Sequence, residues 1–560
     1  MPMKLFPAIL FVVASVLLFS QCKKDDGPDA EPDIVPVDTT TYTLQLESVV
    51  ADSVNFFGAG RLLNIERSFP AVIKFNRPVD QNTITSQSLR VAAPGTQADI
   101  AWELVDSGKT LIISAIEPLR HIQRYTLFLT NAIMGEEGEE FEGYTRQFYT
   151  EVDPEPKFPI ISDEELLTLV QEQTFRYFWD FAHPVSGLAR ERNSSGETVT
   201  IGGSGFGVAA ILVGIERGFI SRSEGVNRLN TIVDFLTTAD RFHGVWPHWM
   251  NGTTGVTQPF SANDDGADLV ETSFMIQGLL TVREYLDAGN GFEADLISKI
   301  NTLWEEVEWN FFTQGQNVLY WHWSPNGGFI MDMQIRGYNE SLITYFLAAA
   351  SPTYPINPQV YHNGWANNGN IINGNSYYGI PLPVGYAYGG PLFFAHYSFM
   401  GLNPNNLQDN YANYWTQNVN HSLINRQYCI LNPQNYVGYS EESWGLTASD
   451  NNLGYSAHSP TNDRGVITPT AALSSMPYTP EESMDALRFF YYTIGDKIWG
   501  DYGFYDAFNF TEGWVANSYL AIDQGPIVVM IENHRTGLLW NNFMMAPEVQ
   551  TGMTALGFTN

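Results

Sequence analysis

A proline-rich segment, Asp153-Pro154-Glu155-Pro156-Lys157-Phe158-Pro159, restricts this chain most, because it separates two different periodicities. Its prolines can neither continue a helix nor sit inside a central strand. Residues 153–159 therefore form a linker, and each side folds around its own pattern. Before it, β-branched and alternating runs recur, as in Ala71-Val72-Ile73-Lys74-Phe75, Thr110-Leu111-Ile112-Ile113 and Tyr125-Thr126-Leu127-Phe128-Leu129. Turn signals such as Asn76-Arg77-Pro78 and Asp106-Ser107-Gly108-Lys109 separate them. That spacing predicts a β-sandwich over residues 42–152. After the linker the apolar residues fall at helical spacing. Ser162-Asp163-Glu164-Glu165 and Ser221-Arg222-Ser223-Glu224 are capping boxes, and Thr479-Pro480 places proline at a first helical position. The pattern predicts helices beginning near residues 163, 205, 222, 264, 293, 339, 388, 408, 465, 480, 520 and 536, the last two carrying the weakest signal. Twelve helices over residues 160–560 fit six hairpins closed into an all-α (α/α)₆ barrel, or toroid. An open solenoid is the competing arrangement, but no fixed repeat is visible.

Charge narrows the partners. The chain has 61 Asp+Glu against 28 Lys+Arg, a net charge of −33. So few cations exclude nucleic acid and an anionic lipid surface as partners. At the N-terminus Lys4 precedes an apolar run, Leu5 to Phe19, that is too short to span a bilayer and fits a signal peptide. Leu18-Phe19-Ser20-Gln21-Cys22 resembles a bacterial lipobox, with Gln21 where Gly or Ala is usual. An ordinary secretory signal is the alternative. The expectation is a lipoprotein signal over 1–22, a lipidated Cys22, a flexible tether over 23–41, and an exported protein anchored in the cell envelope by lipid alone. The only other cysteine is Cys429, so no disulfide framework and no Cys-based zinc site is possible. Cys429 reads as a small buried hydrophobe.

The stretch from Asn263 to Leu280 carries the chemistry. Read as one helix, Asp264, Asp268 and Glu271 stand at i, i+4 and i+7 and share a face, while Ser273, Gln277 and Glu284 form a second polar strip opposite. Apolar flanks between two polar strips fit an inner barrel helix whose acids line a cavity. Asp264 alone would suit a solvated first turn. Glu271, placed two turns in, would gain little there. Clustered carboxylates also suit calcium or magnesium, but the spacing departs from an EF-hand, and no metal or other cofactor is expected. A further carboxylate, Glu340, falls at the start of the next apolar helix. Two carboxyls across a glycosidic bond are what glycoside hydrolysis requires: one protonated as acid, one activating water or attacking.

Aromatic residues make up 14% of the chain while charged residues make up 16%, a balance suited to a neutral ring-shaped ligand or to a large core. Many aromatics fall in Gly/Asn-rich loops. Trp249, Trp321, Trp323, Tyr338, Tyr378, Tyr388, Trp444 and Phe504 are candidates to contact sugar, with Asp523 beside Gly525-Pro526 as a polar contact.

Several of these motifs, in order, carry a resemblance: Phe175-Arg176-Tyr177-Phe178-Trp179, Gly205-Phe206-Gly207, the 263–280 stretch, Tyr338-Asn339-Glu340, Tyr502 to Asn509 and Ala521-Ile522-Asp523-Gln524-Gly525-Pro526. Residues 160–560 resemble the bacterial glucoamylase-like domain, the group that contains glycoside hydrolase family 144, the endo-β-1,2-glucanases. The β region resembles bacterial immunoglobulin-like modules and reads as a spacer. The resemblance implies an (α/α)₆ barrel, no obligatory cofactor, and hydrolysis of β-1,2-glucan with inversion, internally or by release of sophorose. It carries the essential acids onto Asp264, Asp268, Glu271 and Glu340. Of these, Glu271 and Glu340 are the leading acid/base pair, and Asp264 and Asp268 orient water or sugar. The alternatives are a hydrolase of another neutral glucan and a non-catalytic, lipid-anchored glycan-binding protein. A monomer is expected.

Overall fold

The computed structural model describes residues 43–560, so the signal, the tether and Cys22 lie outside the described residues. The chain first forms β1 (Leu46–Ala51), β2 (Val54–Asn55), β3 (Ala71–Phe75), β4 (Leu89–Ala93), β5 (Thr96–Gln97), β6 (Ile100–Val105), β7 (Thr110–Ala115), β8 (Arg124–Leu129) and β9 (Tyr144–Tyr149). They make two antiparallel sheets, ordered β2-β1-β3-β7-β6 and β5-β4-β8-β9. Alternate residues point inward, including Ile73 and Phe75 on β3, Leu111 and Ile113 on β7, and Leu127 and Leu129 on β8. These side chains share one core. Period-2 alternation can bury only one face of each sheet, so the two apolar faces meet.

The linker is held rather than loose. The Lys157 amide donates to the Tyr492 carbonyl at 2.7 Å, and Phe158 stacks on Tyr491. The β domain also docks on the helical part. Tyr149 Oη donates to the Thr511 carbonyl at 2.8 Å, His121 Nε2 meets the Asp496 carboxylate at 3.1 Å, and Ile122 and Tyr149 belong to a helical-domain core.

The helical part comprises α1 (Asp163–Trp179), α2 (Ile201–Glu216), α3 (Arg222–Thr238), α4 (Leu269–Tyr285), α5 (Gly291–Glu305), α6 (Leu342–Ala350), α7 (Pro358–Asn363), α8 (Tyr414–Leu431), α9 (Pro469–Leu473), α10 (Pro480–Arg488), α11 (Gly495–Ile498), α12 (Ala521–Arg535), α13 (Leu538–Met545) and α14 (Pro547–Leu556). Both predicted capping boxes form, at Ser162/Glu165 and Ser221/Glu224. The inner ring runs α2, α4, α6, the short 3₁₀ turns over 392–399, α9 and α12. It is completed by a His396 Nε2···Ser475 Oγ contact at 3.0 Å and closes where α12 packs on α2. This is the toroid. Helix α2 is buried from Ile201 to Gly214 and α4 from Leu269 to Arg283, as expected of helices covered on all sides. The two approach through glycine. A Cβ on Gly205 would lie 2.5 Å from the Phe274 carbonyl, and one on Gly278 would lie 2.3 Å from the Gly205 carbonyl oxygen.

Several expectations need correction. The helix expected near 388 is broken into 3₁₀ turns among Gly389, Gly390 and Pro391, and that expected near 465 shrinks to α9, begun by Pro469. The two weak C-terminal helices are fully formed. Most important, α4 starts at Leu269, not near Asp264. Asp268 caps the helix, so the three acids do not form an i, i+4, i+7 stripe. The opposite polar strip is internal. Ser273 Oγ meets Thr344 Oγ1 on α6 at 2.8 Å, and Gln277 bonds the backbone of Tyr397, Gly401 and Leu402. Cys429 is fully buried, as expected.

Candidate active site

Four inner-ring helices begin at one cavity of about 350 Å³. Thr200 caps α2, Glu271 lies in the first turn of α4, Glu340 directly precedes the Ser341 cap of α6, and Ile522 is in the first turn of α12. All four line that cavity. Helix N-termini carry partial positive charge and unpaired N–H groups, so this end of the ring favours carboxylates.

Asp268 is the hub. Its Oδ1 accepts from the amides of Val270 at 3.1 Å and Glu271 at 3.0 Å, which is the helix cap. Its Oδ2 lies 2.9 Å from His248 Nδ1 and 3.6 Å from His322 Nε2. A two-residue antiparallel ladder, Ala267–Asp268 against His322–Trp323, brings His322 there. Burial alone would raise the Asp268 carboxyl, but the His248 bond and both imidazoles outweigh it and hold it below its usual value. Asp264 sits in the turn before α4, its Oδ2 3.5 Å from His322 Nε2, and is raised by burial and by the neighbouring Asp268. Burial by itself would make His248 a weaker base. The surrounding Glu271, Asp268 and Asp264 overcome this and push it up to about 9, so it is an imidazolium at neutral pH.

Glu271 reaches across to α2, where its Oε2 accepts from the Gly202 amide at 2.8 Å. Burial raises it to about 7, against the pull of His248 and Gly202 and with the push of Asp268. Glu340 is also raised to about 7, by burial first, then opposed by its own backbone amide and reinforced by Glu271 and Asp268. Its side chain has no cationic partner among the described residues.

The opposite wall carries a second acidic group. Arg192 lines the cavity and binds the Asp450 carboxylate through Nη1 at 3.1 Å to both oxygens, while its Nε holds Glu191 at 2.9 Å. Asp506 Oδ2 accepts from the Asp450 amide at 2.7 Å, and Asp523 Oδ1 accepts from Tyr397 Oη at 3.4 Å. Asp506 is raised to about 7 by burial and Asp450, and Asp523 is raised well above its usual value by burial and Asp506. Among the described residues Asp506 Oδ1 and Asp523 Oδ2 are buried with no other donor, and a hydrogen bond between the two carboxyls, which requires one of them to be protonated, engages the pair.

Of the predicted sugar contacts, Trp249 and Trp321 line the cavity, joined by Phe260, which packs on Trp249 and His248. Asp523 lies behind Tyr397, whose ring reaches the cavity. The other predicted contacts do not line it. Trp323 packs with Phe242, His243 and Phe311. Tyr338 is buried, its Oη 3.3 Å from Asn418 Oδ1. Tyr378 and Tyr388 pack on each other in a separate loop. Trp444 is fully buried, its indole N–H donating to the Glu482 carbonyl, and Phe504 sits in the same core against Trp499. Loop aromatics fill core here because a toroid must plug the spaces between helix ends. The sequence singled out none of Phe260, Arg192, Tyr397 and Asp450, while His248, beside Trp249, and Asp506, within the Tyr502 to Asn509 motif, carried no stated role. The run Arg190-Glu191-Arg192 in a charge-poor chain was the one available signal. Among the described residues, His248, Asp264 and Asp268 have ligand atoms within 4.8 Å of one another and could hold a cation; in the structure His248 and Asp268 bond each other.

Residues 332–547 match a family model described as "Putative glucoamylase". The chain is 62% identical to a "putative glucoamylase" of known structure from Bacteroides uniformis, with a TM-score of 0.71, over 72% of this chain and 99% of that one. It is 56% identical to an endo-β-1,2-glucanase from Chitinophaga pinensis, solved with sophorotriose and glucose, with a TM-score of 0.70 and coverage of 72% and 99%. It is 48% identical over 416 residues to an exo β-1,2-glucooligosaccharide sophorohydrolase (non-reducing end) of Parabacteroides distasonis, over 70% of this chain. The chain spans 58% of that relative's length.

Proposed function

The chain belongs to the bacterial glucoamylase-like family that includes glycoside hydrolase family 144, and on that premise we propose that it hydrolyses β-1,2-glucan with Glu340 as general acid and Glu271 as general base. One observation carries the assignment: two cavity-lining carboxyls are each raised to about 7, yet only one has partners that favour its anion. Glu271 accepts the Gly202 amide at the α2 N-terminus and faces the His248 imidazolium. Glu340 has only its own amide. Glu340 is therefore the protonated carboxyl, which donates its proton to the leaving oxygen, while the Glu271 carboxylate takes a proton from the attacking water. Asp268 keeps His248 charged and oriented, and Asp264 faces His322 Nε2 at 3.5 Å. Trp249, Phe260 and Trp321 offer ring faces to the C–H faces of glucose units, and Arg192 and Glu191 offer polar groups to hydroxyls.

Incubation with linear β-1,2-glucan tests the reading: sophoro-oligosaccharides or sophorose should accumulate, first with the inverted anomeric configuration by NMR. Absence of these products would overturn the substrate, and retained configuration would overturn the water-attack step.

Residues 42–152 are proposed to be an immunoglobulin-like module supporting the catalytic toroid over 160–560. The two antiparallel sheets around one core favour this. Export and lipidation at Cys22 are proposed on the lipobox pattern alone. Incorporation of labelled palmitate that disappears in Cys22→Ala is the expected result, and equal labelling of both proteins would refute it.

A further inference from the structure

A second cavity, of about 540 Å³, lies where the β domain, the linker and the toroid meet. It gathers Arg67 and Arg120 from the β domain, Lys157 from the linker and Lys497 from α11. Only two carboxylates line it, Asp153 and Asp496, and both are engaged. Asp153 holds Arg67 at 2.9 Å and Lys157 at 2.8 Å. Asp496 holds His121 Nε2 at 3.1 Å through both oxygens. The side chains of Arg120 and Lys497 are then left with neither an ion pair nor a hydrogen bond among the described residues. His121 Nδ1 is buried without a partner as well.

Arg120 is exposed to solvent and Lys497 is half-buried. The chain has 28 Lys+Arg among 560 residues, and four of them surround one interdomain space in a protein of net charge −33. Lys497 is partly buried, and burial lowers its ammonium pKa. Asp496 opposes this, but Arg120, Lys157 and Arg67 each lower it further. Like charges held together in this way are relieved by a bound counter-charge.

We propose that this cavity is an oxyanion-binding site, in which Arg120 and Lys497 grip a phosphate- or sulphate-type group and so tie the β domain to the toroid. The planar guanidinium of arginine matches two oxygens of such a group, and the ammonium of lysine supplies a point charge to a third. The cavity is larger than one oxyanion, so it has room for a sugar that carries one. The site is independent of the glucan-hydrolysis assignment.

Thermal unfolding of the full chain provides the test. Titration with sodium phosphate, against sodium chloride at equal ionic strength, should raise the melting temperature along a saturating curve, because a ligand bound only by the folded state stabilises it by mass action. The Arg120→Ala/Lys497→Ala double variant should bind phosphate at least roughly tenfold more weakly, the scale of one lost charge-assisted contact. Its circular dichroism and its glucan hydrolysis should match the parent's, which excludes misfolding as the cause. Glucose 6-phosphate serves as a parallel arm. Tighter binding than inorganic phosphate identifies a sugar-borne oxyanion, and equal or weaker binding identifies the free ion. A phosphate response identical to that of chloride, or an unchanged response in the double variant, would overturn the proposal.

Discussion

Gly202→Ala isolates the electrostatics of the site from its fold. Position 202 lies in the first turn of α2, where alanine is a better helix former than glycine by about 1 kcal/mol. The backbone therefore accepts the change, and helix stability should not fall. The added methyl is the perturbation. Its Cβ would sit 2.2 Å from Glu271 Oε2, 2.7 Å from Cδ and 3.0 Å from Oε1. No carbon tolerates an oxygen at 2.2 Å, so the carboxylate must retreat by roughly 1 Å, and it can, because it ends a flexible side chain. The move breaks the 2.8 Å bond from the Gly202 amide. A hydrogen bond to a charged group is worth about 1.5–3 kcal/mol, and a misplacement of about 1 Å in a reacting group costs roughly 10²-fold. Turnover on β-1,2-glucan should fall by roughly 10²-fold, while the melting temperature stays within a few degrees. The pH profile should move as well. The lost amide favoured the Glu271 anion, so the pKa of Glu271 rises and the acidic limb shifts to higher pH. Reducing-sugar release, followed across pH in parallel with thermal unfolding, reads all three. A variant that keeps activity within threefold of the parent while folding normally would refute the claim that Glu271 acts from this position.

The remaining expectations concern the same cavity. Glu340→Gln should lower turnover by 10³-fold or more, on the scale of a lost general acid, and measurable hydrolysis at the parental rate would remove Glu340 from that role. The same variant should be the more stable protein above pH 7. Below about 4.5 Glu340 is protonated in both folded and unfolded chains; as pH rises toward its folded value of about 7 the unfolded chain ionises first and stability is lost, up to about 3 kcal/mol. Denaturant titrations of parent and variant should therefore diverge more at pH 8 than at pH 5. His248→Gln removes the imidazolium that favours the Glu271 anion, so the acidic limb of the activity profile should move to higher pH; an unmoved limb would show that His248 serves only to hold Asp268. Trp321→Ala should raise KM roughly tenfold with a smaller change in kcat, as expected for a ring face that binds ground and transition states alike.

Legibility followed the range of the interaction. Capping boxes at Ser162 and Ser221 were readable because each is a contact between residues three apart, and both form. The acids Asp264, Asp268, Glu271 and Glu340 stand out as a set through a shared-face pattern and a family resemblance, and the structure brings Asp264, Asp268 and Glu271 together around His248. Their arrangement was not readable. A helix drawn through Asp264 puts three carboxylates on one face, but Asp268 has its own use for its carboxylate, as the cap that begins α4. Helical periodicity cannot register a cap that interrupts it. The aromatic candidates divided for a similar reason. Trp249 and Trp321 reach the cavity because short ladders pair Trp249 with Thr200 and His322, next to Trp321, with Asp268. Trp444 and Phe504, in loops of the same composition, close the core instead. Composition records that a loop is aromatic and is blind to which side of it faces a void.

The proline-rich linker, the two periodicities and the helix starts determined, without coordinates, a β unit followed by a helical ring. Local hydrogen bonding and the burial of one face carry that information along the chain. Only tertiary structure decided the state of each acid. Gly202 and Glu271 are 69 residues apart, and His248 and Asp268 are 20 apart, yet burial together with these contacts sets the protonation of the two carboxyls. A carboxyl's proton affinity depends on what lies within a few ångströms of it, and those neighbours are assembled only when the ring closes.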